Sequence, residues 1–387
     1  MLSIALEYPE ARLAANRQRL AAAESFQAVD RVPVVLSITT RYVLAQRGVG
    51  FEEYYRDPRS HLYHQLMNHK WVVENVDDDH VTTTQVTVQP DFQNTSAAHF
   101  GAGLQIRDDN PPWLEPALRS PDDVARLPVP APEDHLGGVK LRWFREMIEL
   151  AKDVRITFNG QETPVQVTLG GLQGPMPMAV GLAGEAYYWW VYEYPEACHQ
   201  LMQKTVQGFV AWETHRRQLL AITPGSLGLG DDAGQLLSRS LFREFDLPYL
   251  LQLYDTFGGG RQIHMCGNCR HLLDILADEL RITRFNGFGF PLAPEEVAAK
   301  MSGKVVLVGN VSPMLIQDGN EAEIAQACFC CLSVLAPGGG YILQDGNNIT
   351  PQTDPRKLGL LKRSSERFGA PGARQVGSDS TEAASVA

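Results

Sequence analysis

Eight short apolar segments recur along this chain, separated by stretches of helical pattern, and that alternation narrows the possible folds more than any other feature. They cover residues 32–38, 81–89, 166–169, 226–230, 261–266, 282–286, 305–309 and 341–344. Helical patterns precede them at 8–28 and fall between or after them at 51–73, 139–152, 181–220, 240–257, 270–280, 294–301 and 321–335. Strands separated by helices pair in parallel, through crossovers. Eight such units predict an α/β fold of the closed (β/α)8 TIM barrel type, with an N-terminal helical extension. An open doubly wound sheet is the competing architecture, but no GxGxxG follows the first strand to favour it. Residues 90–135 carry PDFQNT, DDNPPW and LPVPAPED, and this proline-rich stretch is expected to be a loop-rich insertion. One barrel domain is expected over 1–363, followed by a small-residue polar tail, flexible over 364–387.

In such a barrel the chemistry sits at the C-terminal ends of the strands. Polar residues collect there in this chain. Arg41 and Tyr42 follow the first strand, Gln173 the third, Asp231 and Asp232 the fourth. Asn286 ends the sixth, Asn310 follows the seventh and Asn347 the eighth. Arg41 suits a substrate carboxylate, which a guanidinium grips with two hydrogen bonds; a surface ion pair is its plainer role. One of the two aspartates can face the pocket as a base, a cation partner or a metal ligand; a turn with a capping Asp is the plainer reading. Gln173, Asn286, Asn310 and Asn347 are candidates for substrate contacts. The aromatic run Tyr187, Tyr188, Trp189, Trp190, Tyr192 and Tyr194 reads as core plus interface, or as a substrate wall.

The fifth strand ends in Ile263-His264-Met265-Cys266-Gly267-Asn268-Cys269. Alternate residues of a strand share a face, so His264 and Cys266 point the same way. Imidazole and thiolate form a zinc-type donor set, with Cys269 as a candidate third ligand. The plainer reading is a core pair, with cysteine serving as a small hydrophobe. Cys328, Cys330 and Cys331 fall within a helical pattern and read as packing residues.

The formal charge of -11 offers no general attraction to nucleic acid or an anionic membrane. Charges interrupt the N-terminal apolar stretch too early for a signal peptide, and no apolar run is long enough to span a bilayer. Six unevenly placed cysteines do not resemble a secreted disulfide scaffold. A cytoplasmic location is therefore expected, with a small-molecule substrate and a homodimer as the assembly to look for.

Several ordered pieces resemble the uroporphyrinogen decarboxylase superfamily, which includes zinc-dependent methyltransferases serving corrinoid proteins. They are DRVPV at 30–34, Arg41-Tyr42, GPMPMA at 174–179, GDDAG at 230–234, LFREFDLPY at 241–249, IHMCGN at 263–268, LVGNVSP at 307–313 and GGGYILQDGNNITPQTDP at 338–355. The resemblance spans roughly residues 10–362 and implies the (β/α)8 barrel. In the methyltransferase branch zinc is held by a His-x-Cys pair, matched here by His264 and Cys266, and by a distant Cys whose position falls on Asn347. In the decarboxylase branch arginines after the first strand and an aspartate after the second hold an acidic tetrapyrrole. Only Arg41-Tyr42 matches that motif, and the late histidine position again falls on Asn347. The resemblance thus implies a zinc-assisted methyltransferase or demethylase of a small methylated or methoxylated compound, with a separate corrinoid protein as methyl acceptor. A decarboxylase or other lyase of a small carboxylated substrate is the alternative.

Overall fold

The computed structural model describes residues 2–108 and 110–371. Five parallel strands, Leu227–Gly230, Arg261–His264, Arg284–Asn286, Val306–Val311 and Tyr341–Asp345, lie side by side in the order in which they occur in the chain. Three of the five are buried at alternate positions or throughout, as strands covered by helices are. Val34 bridges Leu343, which brings the first segment to the edge beside Tyr341–Asp345. The second and third segments, Val86–Val88 and Val165–Val167, form a separate parallel pair.

All eight expected segments therefore supply a strand or bridge, and the fold is α/β. The expectation of a closed eight-stranded ladder is met only in part, because the sheet hydrogen bonding is interrupted at two seams. Single backbone bonds cross both: Asp79 N–H to the Val34 carbonyl, and Gly174 N–H to the Gly230 carbonyl, each 2.8 Å. At the first seam Pro33 removes a donor. Carboxylates take the donors that remain, Asp79 accepting from Val34 N–H and Asp78 from Leu36 N–H, both at 2.8 Å. Asp79 also accepts from Arg31 and Arg19, so its buried charge is paired.

Several elements depart from the expectations. A strand at Leu2–Leu6 precedes the first helix, Glu10–Glu24, and pairs with Val154–Phe158, which turns back into Gln161–Thr163. Ile4, Leu6, Ile156 and Phe158 of this small sheet share a core with Val86 and Val88 of the wall. The insertion is more ordered than its prolines implied. It holds a 3-10 turn at Ser96–Phe100, an antiparallel hairpin of Gly103–Arg107 with Asn110–Glu115, and a short helix at Asp123–Arg126. The helical stretch expected over 181–220 begins earlier and is cut into Pro175–Ala183, Tyr187–Glu193 and Pro195–Leu219, with Gly184 at positive φ and Pro195 opening the last piece. The stretch from 364 onward starts inside the helix Leu360–Phe368, and residues 372–387 lie outside the described residues. Cys328 and Cys331 are buried in Glu321–Leu335, whereas Cys330 is exposed.

Candidate metal-binding site

His264 is the last residue of its strand, in register with Gly230 on one side and Asn286 on the other. Three hydrogen bonds stitch the loop after the fourth strand to the loop after the fifth. Asp231 N–H donates to the His264 carbonyl at 2.9 Å, Cys266 N–H to Asp232 Oδ1 at 2.8 Å, and Gly267 N–H to Gln235 Oε1 at 2.7 Å. The second bond fixes the Asp232 carboxylate beside Cys266. His264 Nε2 lies 3.8 Å from the same oxygen. One ligand atom from each of Asp232, His264 and Cys266 falls within 4.8 Å of the others, and all three side chains are half-buried. The imidazole rests against Gly287, at φ +59, where a Cβ would come within 2.5 Å of the ring. Only glycine combines that backbone with that clearance.

Nitrogen, sulfur and oxygen donors within 4.8 Å of one another could draw in around a tetrahedral cation, whose bonds of about 2.0–2.3 Å put neighbouring ligands roughly 3.5 Å apart. Three protein ligands would leave one position for water or substrate. Burial, followed by the Asp232 charge, pushes the Cys266 thiol up to about 12. A thiol held that high becomes a thiolate at neutral pH only when a positive charge comes alongside it. These three side chains are a donor set that could hold a metal ion.

The two adjacent aspartates diverge. Asp232 turns to the mouth of the wall, while Asp231 is fully buried facing Asp246, and the backbone at Gly234 lies against both carboxyls. Burial raises both carboxyls, and the Asp246 charge pushes Asp231 further up; two carboxyls in such a site resist ionising together. Asp231 is accordingly a proton-holding partner in the wall beneath Asp232.

The other expected site residues scatter. Cys269 is fully buried outside the ligand group, its thiol pushed up to about 12 by burial. Tyr42 is fully buried, and its hydroxyl donates to the Thr353 carbonyl at 3.0 Å. Arg41 is exposed. Gln173 is half-buried, its N–H donating to Ser96 Oγ at 2.9 Å. Asn286 is exposed beside His264. Asn310 is buried and donates to the carbonyls of Gly289 and Leu292, which holds the loop packed on Cys266. Asn347 is half-buried after the last strand.

Sequence reasoning missed a second polar cluster. Asp91 follows the second strand. Lys140 lies buried nearby with its amine 5.7 Å from the Trp212 ring centre, and His99 packs edge-on against the same indole. Burial brings Lys140 down to about 8, with Asp91 acting in the opposite direction. The signal for Asp91 was its place one turn past a strand end, which the proline-rich composition around it masked. Asp345 was quoted only as part of the last loop. It is fully buried and accepts from Ser37 N–H at 2.8 Å, and burial raises it to about 7.

Comparison with known proteins places this geometry among relatives. The family profile described as uroporphyrinogen decarboxylase (URO-D) matches residues 15–367. The chain is similar to the uroporphyrinogen decarboxylase of Azotobacter vinelandii, 26% identical over 287 residues, covering 68% of this chain and 72% of that protein. It is similar at the same identity to that of Ectopseudomonas mendocina, over 286 residues and the same shares of both chains. Among solved structures, a methyltransferase from Methanosarcina mazei superposes with a TM-score of 0.66 at 19% identity, covering 91% of this chain and 98% of the other. That last likeness is one of fold. With the profile spanning nearly the whole described chain, the protein belongs to the uroporphyrinogen decarboxylase family and is an enzyme of that superfamily.

Proposed function

We propose that this enzyme transfers a methyl group from a small methylated or methoxylated compound, with a zinc ion held by His264, Cys266 and Asp232 and a separate corrinoid protein as methyl acceptor. The observation that carries the reading is the convergence of those three side chains at the mouth of the parallel wall. The fold likeness to the Methanosarcina mazei methyltransferase supports it. The reading takes the eight parallel segments as the wall of one barrel and one domain, with the strand ends as its active face.

Bound there, zinc would supply Lewis acidity toward the leaving heteroatom or a thiol. The chain's own residues set the stage. Asp232 accepts from the Cys266 N–H and so fixes the backbone that carries the sulfur. Asn286, exposed one strand away from His264, offers an amide to the substrate. The Asp231–Asp246 pair retains a proton beneath the site and so limits the negative charge there. Asn310 fixes the loop that closes over Cys266.

The test is substrate-dependent methylation of a reduced corrinoid protein, followed by its absorption spectrum. Methylation that disappears in His264→Ala supports the reading. Release of CO2 from a carboxylated substrate, with no methyl transfer, would replace it with the decarboxylase reading, for which exposed Arg41 and the names of the curated relatives speak.

A further inference from the structure

Beside the loop that carries Asp232 lies an open groove of about 780 Å3, lined by Glu185, Tyr188, Trp189, Tyr192, Glu193 and Leu236. Its wall is the helix Tyr187–Glu193. Helical spacing turns Tyr187, Trp190 and Val191 into the core and leaves Trp189 72% and Tyr192 69% exposed. Leu236, also 69% exposed, belongs to the loop that carries Asp232. The Tyr188 hydroxyl donates to the carbonyl of Ala233, the residue after Asp232, at 3.1 Å. The groove is thus tied to the loop of the ligand site. Aromatic and aliphatic surface this exposed, gathered in one place, marks a site of contact.

The charges around the rings say what the contact is with. Glu185 and Glu193 are exposed, and neither carboxylate meets an ion-pair or hydrogen-bond partner among the described residues. No lysine or arginine lines the groove. A neutral methoxyarene would use the rings but gain nothing from two carboxylates, and an anion would be repelled by them. Three electron-rich rings flanked by unpaired carboxylates suit a cation that carries its own apolar surface.

We infer that this groove binds a methylated ammonium, and that such a cation is the methyl donor class of the neighbouring site. The binding stands on the groove alone, whereas the chemistry rests on the methyl transfer proposed above. In that transfer the N–CH3 bond breaks and its electron pair stays on nitrogen, giving a neutral amine. The methyl carbon bonds to a nucleophile of the acceptor, a thiolate or the reduced cobalt of a corrinoid. No proton is needed at the leaving nitrogen. The product has lost the charge that held it to the rings and carboxylates, which favours its release.

The experiment is calorimetric titration of the full chain with choline and with 3,3-dimethylbutan-1-ol, its uncharged carbon isostere. Choline should bind saturably, and the isostere at least about tenfold more weakly. Trp189→Ala should weaken choline by about tenfold. Glu193→Gln should weaken choline and leave the isostere unchanged. Both side chains are exposed, so circular dichroism melts of the variants should match the parent. Equal binding of the two ligands would make the groove a plain apolar docking face and overturn the inference. So would the absence of saturable choline binding, or choline binding indifferent to Trp189→Ala. Choline that binds the Cys266→Ser protein as well as the parent, yet never donates a methyl group to either acceptor, would leave the groove assignment standing and remove the methyl-transfer reading. Methyl transfer from another donor without choline binding would do the reverse.

Discussion

Tyr42 and Cys266 both sit just past strand ends, yet only one reaches the mouth of the wall. Cys266 shares a face with His264 because the two are separated by a single residue, and a period of two is legible in a sequence. The same period predicts that neighbours diverge, and Asp231 and Asp232 do, though which of them turns to the mouth depended on the bond that Cys266 N–H donates to Asp232. Cys269 was not legible. It lies past the strand, where a turn closed by its N–H on the Gly267 carbonyl buries the side chain. Tyr42 has its hydroxyl engaged by the Thr353 carbonyl, and its ring meets Trp71 edge-on. Tyr42→Phe should therefore cost about 1–2 kcal/mol in a denaturant melt, the penalty for a buried acceptor left unpaired, and leave metal content unchanged. A lost metal with an unchanged melt would return Tyr42 to the site.

At the scale of elements, the eight wall segments were readable because parallel strands covered by helices are short apolar runs with polar ends. The additions to that wall were less so. The pair Val154–Phe158 and Gln161–Thr163 turns on Asn159-Gly160, both at positive φ, and Asn-Gly between β-rich runs is a hairpin signal present in the sequence and passed over. The hairpin ending at Glu115 hid behind Pro111 and Pro112, residues that a two-stranded edge tolerates and a central strand does not. At the last strand, Asp345 joins that wall to Ser37 while remaining hard to ionise. Its carboxyl, about 3.8 unperturbed, is raised to about 7, so between those values the folded protein keeps a proton that the unfolded chain has released. Stability contributed by this group is therefore complete below the lower value and is lost as pH rises to the upper one. Asp345→Asn keeps the oxygen that accepts from Ser37 and has nothing to ionise. Its melting temperature should gain on the parent as pH is raised from about 4 to about 8. A difference that stays constant across that range would show that Asp345 ionises freely in the fold.

For the whole molecule, family and α/β class came from the order of the motifs, while the seams of the wall did not. Asp78 and Asp79 supply the first seam with carboxylates in place of strand carbonyls, and no periodicity announces a side chain acting as backbone. Among the described residues no helix is long and apolar enough to cross a membrane. The fold gathers imidazole, thiol and carboxylate at one point of the wall's mouth, and the proposed chemistry depends on that gathering. Elemental mass spectrometry of protein purified without added metal, beside Cys266→Ser and Cys269→Ser, tests it most directly. About one zinc per chain in the parent and in Cys269→Ser, lost in Cys266→Ser, is the predicted result. Zinc unchanged in Cys266→Ser, or lost only in Cys269→Ser, would contradict the assignment of the ligand group.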